Sequence, residues 1–221
     1  MVGTAAAGSL TTLVAHDEIQ QYYATFPEEA RLSSGPSQLE RERTKDVLTR
    51  VLPAPSCRVV DVGGAAGVYA LWLAERGYEV HLVDASARLV EEARARSARA
   101  NTPITSIAVG DARRLARPDG SAEAVLVMGP LYHLTDPGDR VLALREAFRV
   151  LTPGGVLAAA AVSRFASALD GFARNRTSDP AFRKMRDRDL IDGQHRNASG
   201  HPEYFTTAFF HRPEELVREL E

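Results

Sequence analysis

A glycine-rich turn between two apolar runs has the residue types and spacing that best fit ligand chemistry. Asp84 ends the second run, and three glycines follow the first run, 58–62: Gly63, Gly64 and Gly67. Glycines let the backbone approach a ligand closely, and an acid at the end of the second strand of a βαβ unit accepts hydrogen bonds from ribose hydroxyls. The pattern therefore predicts a nucleoside site. Ala65 places a methyl group inside the turn, where a further glycine is expected.

A second group of polar side chains lies near the C-terminus. It combines histidines, an arginine and an aromatic residue: His195, Arg196, His201 and Tyr204. This composition suits contact with a small polar substrate. Hydrogen-bonded structural roles are the alternative for the two histidines.

Alternating strands and helices must position these groups. Each strand is a short, nearly continuous apolar run, which is typical of parallel strands covered on both faces. The predicted strands are 58–62, 79–83, 104–109, 122–127 and 156–162, and the helices between them are 68–76, 88–100 and 139–151. This alternation predicts an α/β fold with a doubly wound, Rossmann-like, mostly parallel sheet.

The segments before and after this alternation predict that the chain has three parts. Residues 1–37 form an N-terminal arm and cap helix, and a further helix over 38–52 opens the core, which extends to residue 162. Residues 163–221 are polar and show no further strand of the parallel type. They predict a helical lid that binds the substrate, followed by the start of a last helix.

Composition excludes several function classes. The net charge is −2, so nothing favours binding to nucleic acid or an anionic membrane. Cys57 is the only cysteine, which rules out a disulfide within the chain and a cysteine metal cluster. No histidine spacing typical of a metal site, no Gly-x-Ser-x-Gly elbow and no span of about 20 apolar residues occurs. The N-terminus lacks the basic segment of a signal peptide, so we expect a cytoplasmic protein.

A series of motifs then follows in order along the chain: residues 60–67, Asp84, 109–112, 128–134 and 145–157. Through them the sequence, from Tyr22 to its end, resembles the class I S-adenosylmethionine-dependent methyltransferases. The resemblance implies S-adenosylmethionine as cofactor, S-adenosylhomocysteine as product and a small-molecule acceptor. The dinucleotide glycine spacing is lacking, which disfavours a nicotinamide cofactor.

The resemblance also implies residue roles. Asp84 would bind both ribose hydroxyls, while Asp111 and the Ala112 amide would contact adenine. Tyr22 and Arg31 would close over the amino-acid end of the cofactor, although packing for Tyr22 and a surface position for Arg31 are the alternatives. The complete set of implied cofactor contacts is Tyr22, Arg31, Asp61, Gly63, Gly64, Gly67, Asp84, Ala85, Asp111, Ala112, Met128 and Gly129.

The implied catalytic residues follow the fourth strand. Tyr132 and His133 stand where catalysts of the family often stand, and His133 would act as a general base. The alternative for His133 is to orient a loop or the substrate.

Two departures from the family open a second functional hypothesis. Ala65-Ala66 replaces the usual glycines and proline, and a Cβ at a position that needs positive φ costs about 1–2 kcal/mol. The family fold ends with two further strands, which we expect to be lacking here, so that either a partner covers the fifth strand or the chain is a truncated form. The first hypothesis is a methyltransferase for a natural product or metabolite. The second is a methyltransferase-like protein that instead catalyses an intramolecular displacement or cyclisation in antibiotic-type biosynthesis, with a partner chain completing the fold.

The fifth strand generates a prediction about assembly. It is apolar on both faces and lies at the border of the sheet, and soluble proteins rarely leave such an edge bare. We expect a homodimer, or a heteromer whose second chain supplies the missing strands. Light scattering measures the assembly, and hydrogen exchange measures protection over 156–162. A monomer with these amides protected would show that this same chain covers the edge.

Overall fold

The computed structural model describes residues 18–19, 21–23, 35, 37–201 and 203–221. The chain divides into two compact units. The core unit comprises Tyr23–Pro130 and Leu142–Ala160, and the accessory unit comprises Met1–Tyr22, Leu131–Val141 and Ala161–Glu221. The three-part division predicted above stays a prediction.

The core unit is built on a five-stranded sheet with strand order β3-β2-β1-β4-β5. All of its neighbouring strands run parallel. The strands are β1 Arg58–Val62, β2 Glu79–Asp84, β3 Ser106–Val109, β4 Ala122–Val127 and β5 Leu151–Ala159. The chain order reverses between β1 and β4, as in doubly wound sheets, so the predicted fold class is confirmed.

The helices of the two units are interspersed with the strands along the chain. They are α1 Ser37–Val51, α2 Val68–Ala74, α3 Ala87–Ser97, α4 Pro130–His133, α5 Pro137–Val150, α6 Ala166–Ala173, α7 Pro180–Asp192 and α8 Pro213–Leu220. Apolar side chains of α2, including Leu73, pack with Val59, Val80 and Leu126 of the three central strands in one buried cluster. This packing holds the carboxyl ends of β1 and β2 in place, where the predicted site residues lie.

The fifth strand differs from its predicted bounds. β5 begins at Leu151 and pairs with Ala122, and the next pair joins Val156 to Ala124. The intervening Pro153 cannot donate to the ladder, and Gly154 adopts a φ of 79°, so the chain bulges there. β5 lies at one border of the sheet, as predicted.

The accessory unit corrects the prediction of a purely helical lid. Among its described residues, a three-stranded sheet has the order β6-β8-β7. Its strands are β6 Val162–Ser163, β7 Gln194–His195 and β8 Ala208–His211. β8 pairs parallel with β6 and antiparallel with β7. All four residues of β8 are buried, and such a short apolar run carries too little periodicity to be distinguished from a loop by sequence.

A buried ion pair stabilises the accessory unit. Arg140 is 2% exposed, and its Nη2 donates to Oε1 of Glu219 at 2.6 Å. Its guanidinium lies 3.8 Å from the centroid of the Phe209 ring. His211 Nε2 lies 3.2 Å from the second oxygen of Glu219. The pair therefore joins α5, β8 and α8, and hydrogen bonds satisfy both charges.

Candidate functional site

The turn after β1 requires its glycines. Gly63 has a φ of 72°, and a Cβ there would lie 2.5 Å from Cδ of Pro130. A Cβ on Gly64 would lie 2.7 Å from Oδ2 of Asp61. Gly67 precedes α2 in the left-handed conformation, with a φ of 79°. A side chain is therefore excluded at Gly63 by both sterics and φ and at Gly64 by sterics, whereas at Gly67 the positive φ disfavours it.

Ala65 adopts the conformation that glycine favours. Its φ is 47°, in the left-handed region, which confirms the premise behind the predicted cost of a Cβ at this position. Its N–H donates to Oδ2 of Asp84 at 2.9 Å. The hydrogen bond holds the strained residue in place, so the turn keeps its shape despite the methyl group.

Asp84 links the end of β2 to this turn. The residue is 9% exposed, and its Oδ1 accepts from the N–H of Ser86 at 2.8 Å. Burial raises the pKa of Asp84, and the backbone hydrogen bonds from Ser86 and Ala65 lower it in part. Each carboxylate oxygen retains a further lone pair, so this arrangement leaves Asp84 able to accept from ligand hydroxyls.

Asp61 is a buried acid without a hydrogen-bond partner among the described residues. It is 1% exposed, and neither of its carboxyl oxygens is bonded. Burial, and to a smaller extent the charge of Asp84, together raise the pKa of Asp61 to about 7. An unpaired buried carboxyl beside a glycine turn is the feature that a positively charged ligand would satisfy.

The remaining predicted cofactor residues lie at loops after strands. Ala85 is exposed directly after β2, whereas Met128 and Gly129 are half-buried after β4. Asp111 follows β3, and both of its oxygens accept from the guanidinium of Arg113, the shorter distance being 2.6 Å. Ala112 is half-buried in the same loop. Their predicted contacts stay predictions, as does that of Arg31, which lies outside the described residues.

The accessory unit brings the predicted catalytic residues into an aromatic cluster. Tyr132 and His133 lie on α4 with their ring centroids 4.6 Å apart. The ring of Phe205 lies 6.2 Å from that of Tyr132 and 5.7 Å from that of His133. Tyr22 meets the same phenylalanine edge-on at 5.8 Å. We call these four rings, Tyr22, Tyr132, His133 and Phe205, the aromatic cluster.

His133 is neutral in this environment at physiological pH. Burial lowers the pKa of His133 to about 4, and the carbonyl of Thr207 opposes this effect. Nδ1 lies 3.4 Å from that carbonyl oxygen, which can only accept. Nδ1 therefore carries the proton, and Nε2 holds the lone pair that a general base needs.

The environment of His195 favours the structural alternative over a substrate contact. Its ring is 1% exposed, and Nδ1 lies 2.8 Å from Oδ2 of Asp189. Nε2 lies 3.2 Å from the carbonyl oxygen of Phe205. Both nitrogens are thus used within the protein, because the β7–β8 pairing draws His195 into the interior.

Tyr204 and His201 also have local partners. Tyr204 is 6% exposed, packs against Phe182 and donates its hydroxyl to Asp179. His201 is exposed and stacks on Tyr204 with a centroid distance of 4.5 Å. Arg196 is half-buried, and its Nη1 donates to the carbonyl of His195. The charged group of Arg196 is therefore partly accessible, whereas the Tyr204 hydroxyl is used within the protein.

Sequence reasoning missed several residues around the cluster. Phe205 lies at its centre, and Asp189 holds His195. Glu18 accepts a hydrogen bond from the hydroxyl of Thr207. The segment 205–207 directly precedes the apolar strand β8, and this adjacency was the available signal. Asp189 carried none, since it sits in a charged helix.

Two absences hold for the described part of the chain. No group of three or more histidine, cysteine, aspartate or glutamate side chains is arranged to hold a metal ion there. Within the same residues, no helix is long and apolar enough to cross a membrane.

Comparison with known proteins shows what the chain is similar to. Residues 59–155 match a family model described as a methyltransferase domain. An uncharacterized methyltransferase of Mycobacterium tuberculosis is 36% identical over 107 residues, which is 48% of this chain and 40% of that protein. The chain thus spans about two fifths of the length of this relative.

Solved structures share the fold. An S-adenosylmethionine-dependent methyltransferase from Methanosarcina mazei superposes with a TM-score of 0.62 at 21% identity, over 79% of this chain and 81% of that one. The [4+2]-cyclase SpnF matches with a TM-score of 0.50 at 27% identity, over 57% of this chain and 46% of its own.

Asp61→Asn tests the cost of the unpaired acid. With a folded pKa of about 7 against 3.8 unfolded, the carboxyl stabilises the fold below about pH 4, and this stability is lost as the pH rises to about 7. We expect the substitution to raise the free energy of unfolding by about 1–3 kcal/mol at pH 7.5 and to flatten its pH dependence between 4 and 7. Denaturant titrations across this pH range measure both effects.

Asp84→Asn is the matched control. Its amide nitrogen would face one of the two backbone donors, so the variant should lose about 1–2 kcal/mol instead. Equal losses in both variants would contradict the interpretation of Asp61.

Ala65→Gly tests the strained turn. Removal of the Cβ at a φ of 47° should stabilise the protein by up to about 1 kcal/mol, net of the larger freedom of glycine in the unfolded chain. Thermal unfolding measures the change, and Ala66→Gly, at a buried position without positive φ, is the comparison. A lower stability for Ala65→Gly would mean that the methyl group packs usefully.

Proposed function

We propose that the chain is a class I S-adenosylmethionine-dependent methyltransferase that transfers a methyl group to a small-molecule acceptor, a proposal supported by the match of residues 59–155 to a methyltransferase-domain model. The core unit would bind the cofactor, and Tyr132 and His133 would orient and deprotonate the acceptor. A natural product or metabolite is the acceptor class we favour.

Asp61 is the observation that carries the proposal. A carboxyl that is 1% exposed and has no hydrogen-bond partner within the described part of the chain costs stability, because burial penalises its charged form. A cationic ligand beside it would compensate that cost. S-adenosylmethionine bears a sulfonium and an ammonium group, so its charge fits this site, whereas an anionic dinucleotide does not.

The other residues of the core unit fit the nucleoside part of the cofactor. Asp84 would accept from the ribose hydroxyls, and the closely packed Gly63 and Gly64 would allow approach of the backbone. Asp111 and the Ala112 amide would contact adenine. When bound, the cofactor supplies an electrophilic methyl group and is released as S-adenosylhomocysteine.

His133 supplies the acid–base step in this proposal. Its Nε2 would take the proton that an oxygen or nitrogen nucleophile of the acceptor loses as the new bond to the methyl carbon forms. Its pKa of about 4 keeps the ring neutral at physiological pH. Tyr132, beside it on α4, would orient the acceptor.

A small acceptor agrees with the charge of the protein. The net charge of −2 gives no attraction for nucleic acid. Arg196 is a half-buried charged group. The ring of its sequence neighbour His195 lies 6.1 Å from that of Phe205 in the aromatic cluster. Cyclisation, the activity that the name of SpnF states for that protein, is the outcome to test if the cofactor binds but no methyl group is transferred.

Calorimetry with S-adenosylmethionine and S-adenosylhomocysteine tests cofactor binding. We expect binding of both, and Asp84→Ala should weaken it by about 2–3 kcal/mol because the acceptor for two hydroxyls is lost. Asp61→Asn should weaken S-adenosylmethionine more than the product, which lacks the sulfonium charge. No binding by the wild type at millimolar cofactor would overturn the proposed function.

Methyl transfer to a panel of phenols, amines and activated carbons tests the role of His133. His133→Ala should lower kcat by about 10²–10⁴-fold while cofactor affinity is kept. In the wild type, kcat/KM should show no titration of this residue between pH 5.5 and 8, since its pKa is about 4. His81→Ala is the control, because His81 is also buried but bonds Ser106 in the core unit. A normal kcat in His133→Ala would assign the proton transfer to another group.

A further inference from the structure

A buried row of polar side chains in the accessory unit is not used by the proposed reaction. Ser167 donates its hydroxyl to Oδ2 of Asp189 at 2.5 Å, and the same oxygen lies 2.8 Å from Nδ1 of His195. The three residues are 7%, 0% and 1% exposed. They join α6, α7 and β7 in the interior of the unit.

The order of these residues excludes a hydrolytic triad. Such a triad needs the histidine between the hydroxyl and the acid, so that the ring can take the proton of the nucleophile. Here Asp189 lies between Ser167 and His195. The hydroxyl group and the histidine ring both contact the acid, so the ring is not placed to take the hydroxyl proton. The row therefore orients groups and does not activate a nucleophile.

Both nitrogens of His195 face oxygen acceptors. Nε2 lies 3.2 Å from the carbonyl oxygen of Phe205, which can only accept. Nδ1 lies 2.8 Å from Oδ2 of Asp189. The ring is also stacked on Phe210 at 4.6 Å with an interplanar angle of 16°. Asp189 thus fixes the ring in the orientation that holds the Phe205 carbonyl.

The segment that His195 holds leads to His133. Two residues after Phe205, the carbonyl of Thr207 lies 3.4 Å from Nδ1 of His133. The Phe205 ring lies 5.7 Å from the His133 ring. One short segment therefore carries both the acceptor that selects the His133 tautomer and the ring that packs against it.

We propose that Asp189 is a positioning residue for His133, acting through His195 and the segment 205–207. Asp189 orients His195, His195 anchors the Phe205 carbonyl, and the anchored segment presents the Thr207 carbonyl that keeps the His133 proton on Nδ1. This inference rests on the proposed function, because His133, the residue that Asp189 would position, is the base of the proposed reaction.

The cost of Asp189 supports a task beyond stability. Its Oδ1 is buried and has no hydrogen-bond partner within the described chain. A buried carboxyl with one bare oxygen gives a less stable fold than an apolar residue of similar size. Such a group is expected where a defined orientation matters, as it does for a histidine with two acceptors.

Asp189→Asn, tested alone and with His133→Ala, separates positioning from a general loss of stability. We expect Asp189→Asn to lower kcat about tenfold with the KM for S-adenosylmethionine unchanged. In the His133→Ala background the same substitution should change kcat less than about twofold, since the base it positions is gone. Additive losses in the double variant would overturn the proposal.

A conservative pair provides the rescue. In Asp189→Asn with His195→Gln, the asparagine amide can donate to the glutamine oxygen, and the glutamine amide can donate to the Phe205 carbonyl. We expect kcat to return to within about threefold of the wild type. A double variant no better than Asp189→Asn alone would contradict anchoring through this carbonyl.

Two serine variants control for lost buried hydrogen bonds. Ser167→Ala removes one bond to Asp189 but keeps His195 in place, so we expect a smaller loss of kcat that again disappears with His133→Ala. Ser97→Ala removes a buried bond to the N–H of Ile104 in the core unit and should lower stability without changing kcat. An equal kcat loss in both variants would show a merely structural effect.

The tautomer of His133 gives a readout that needs no turnover. Long-range ¹H–¹⁵N spectra of the full chain at pH 7 should show Nδ1–H in the wild type and a mixture of tautomers in Asp189→Asn. An unchanged His133 tautomer in a folded Asp189→Asn protein would overturn the positioning role. If the wild type shows this tautomer and its dependence on Asp189 but transfers no methyl group, the proposed function fails and the positioning stands.

Discussion

The contact between Asp84 and the turn after β1 is the interaction on which the candidate cofactor site depends. One carboxylate at the end of β2 accepts from the N–H groups of Ala65 and Ser86, so it joins the turn, β2 and the start of α3. The bond to Ala65 also retains a residue with a φ of 47° in a conformation that alanine disfavours. Parallel strands end at one edge of the sheet, so the end of β2 lies beside the turn after β1. The Asp84 side chain can therefore fix the backbone of this glycine turn.

Asp61, in contrast to Asp84, is a buried acid that lowers the stability of the fold. It lies on β1 opposite Leu82 of β2, two residues before Asp84, and among the described residues it gains no hydrogen bond in return for its burial. Its neighbour Gly64 has no room for a side chain because the Asp61 carboxyl occupies that space. The acid and the glycine are thus matched to each other, and the raised pKa of Asp61 follows from burial first and from the charge of Asp84 second. Such sites favour ligand binding over stability.

In the accessory unit, hydrogen bonds and ring packing orient two imidazole rings. His133 and His195 have opposite environments: the first has a carbonyl at Nδ1, and the second has acceptors at both nitrogens. The segment 205–207 lies between them and places the Phe205 ring against both histidines. Short strands suffice here, because β7 and β8 need only bring His195 and this segment together.

The sequence by itself determined the core unit, because local patterns decide it. Continuous apolar runs predicted the parallel strands, and the glycines and Asp84 predicted the turn. The positive φ at residue 65 was only a condition in the sequence argument, and the structure shows it. Only the tertiary structure decided the accessory unit, where β8 is too short for its periodicity to be read. It also decided which histidine is buried: His195 and His201 have similar sequence surroundings, but pairing between β7 and β8 buries the first and leaves the second exposed. Contacts between residues distant in the chain, such as Asp189 with His195 or Thr207 with His133, carry no periodic signal, and packing alone creates them.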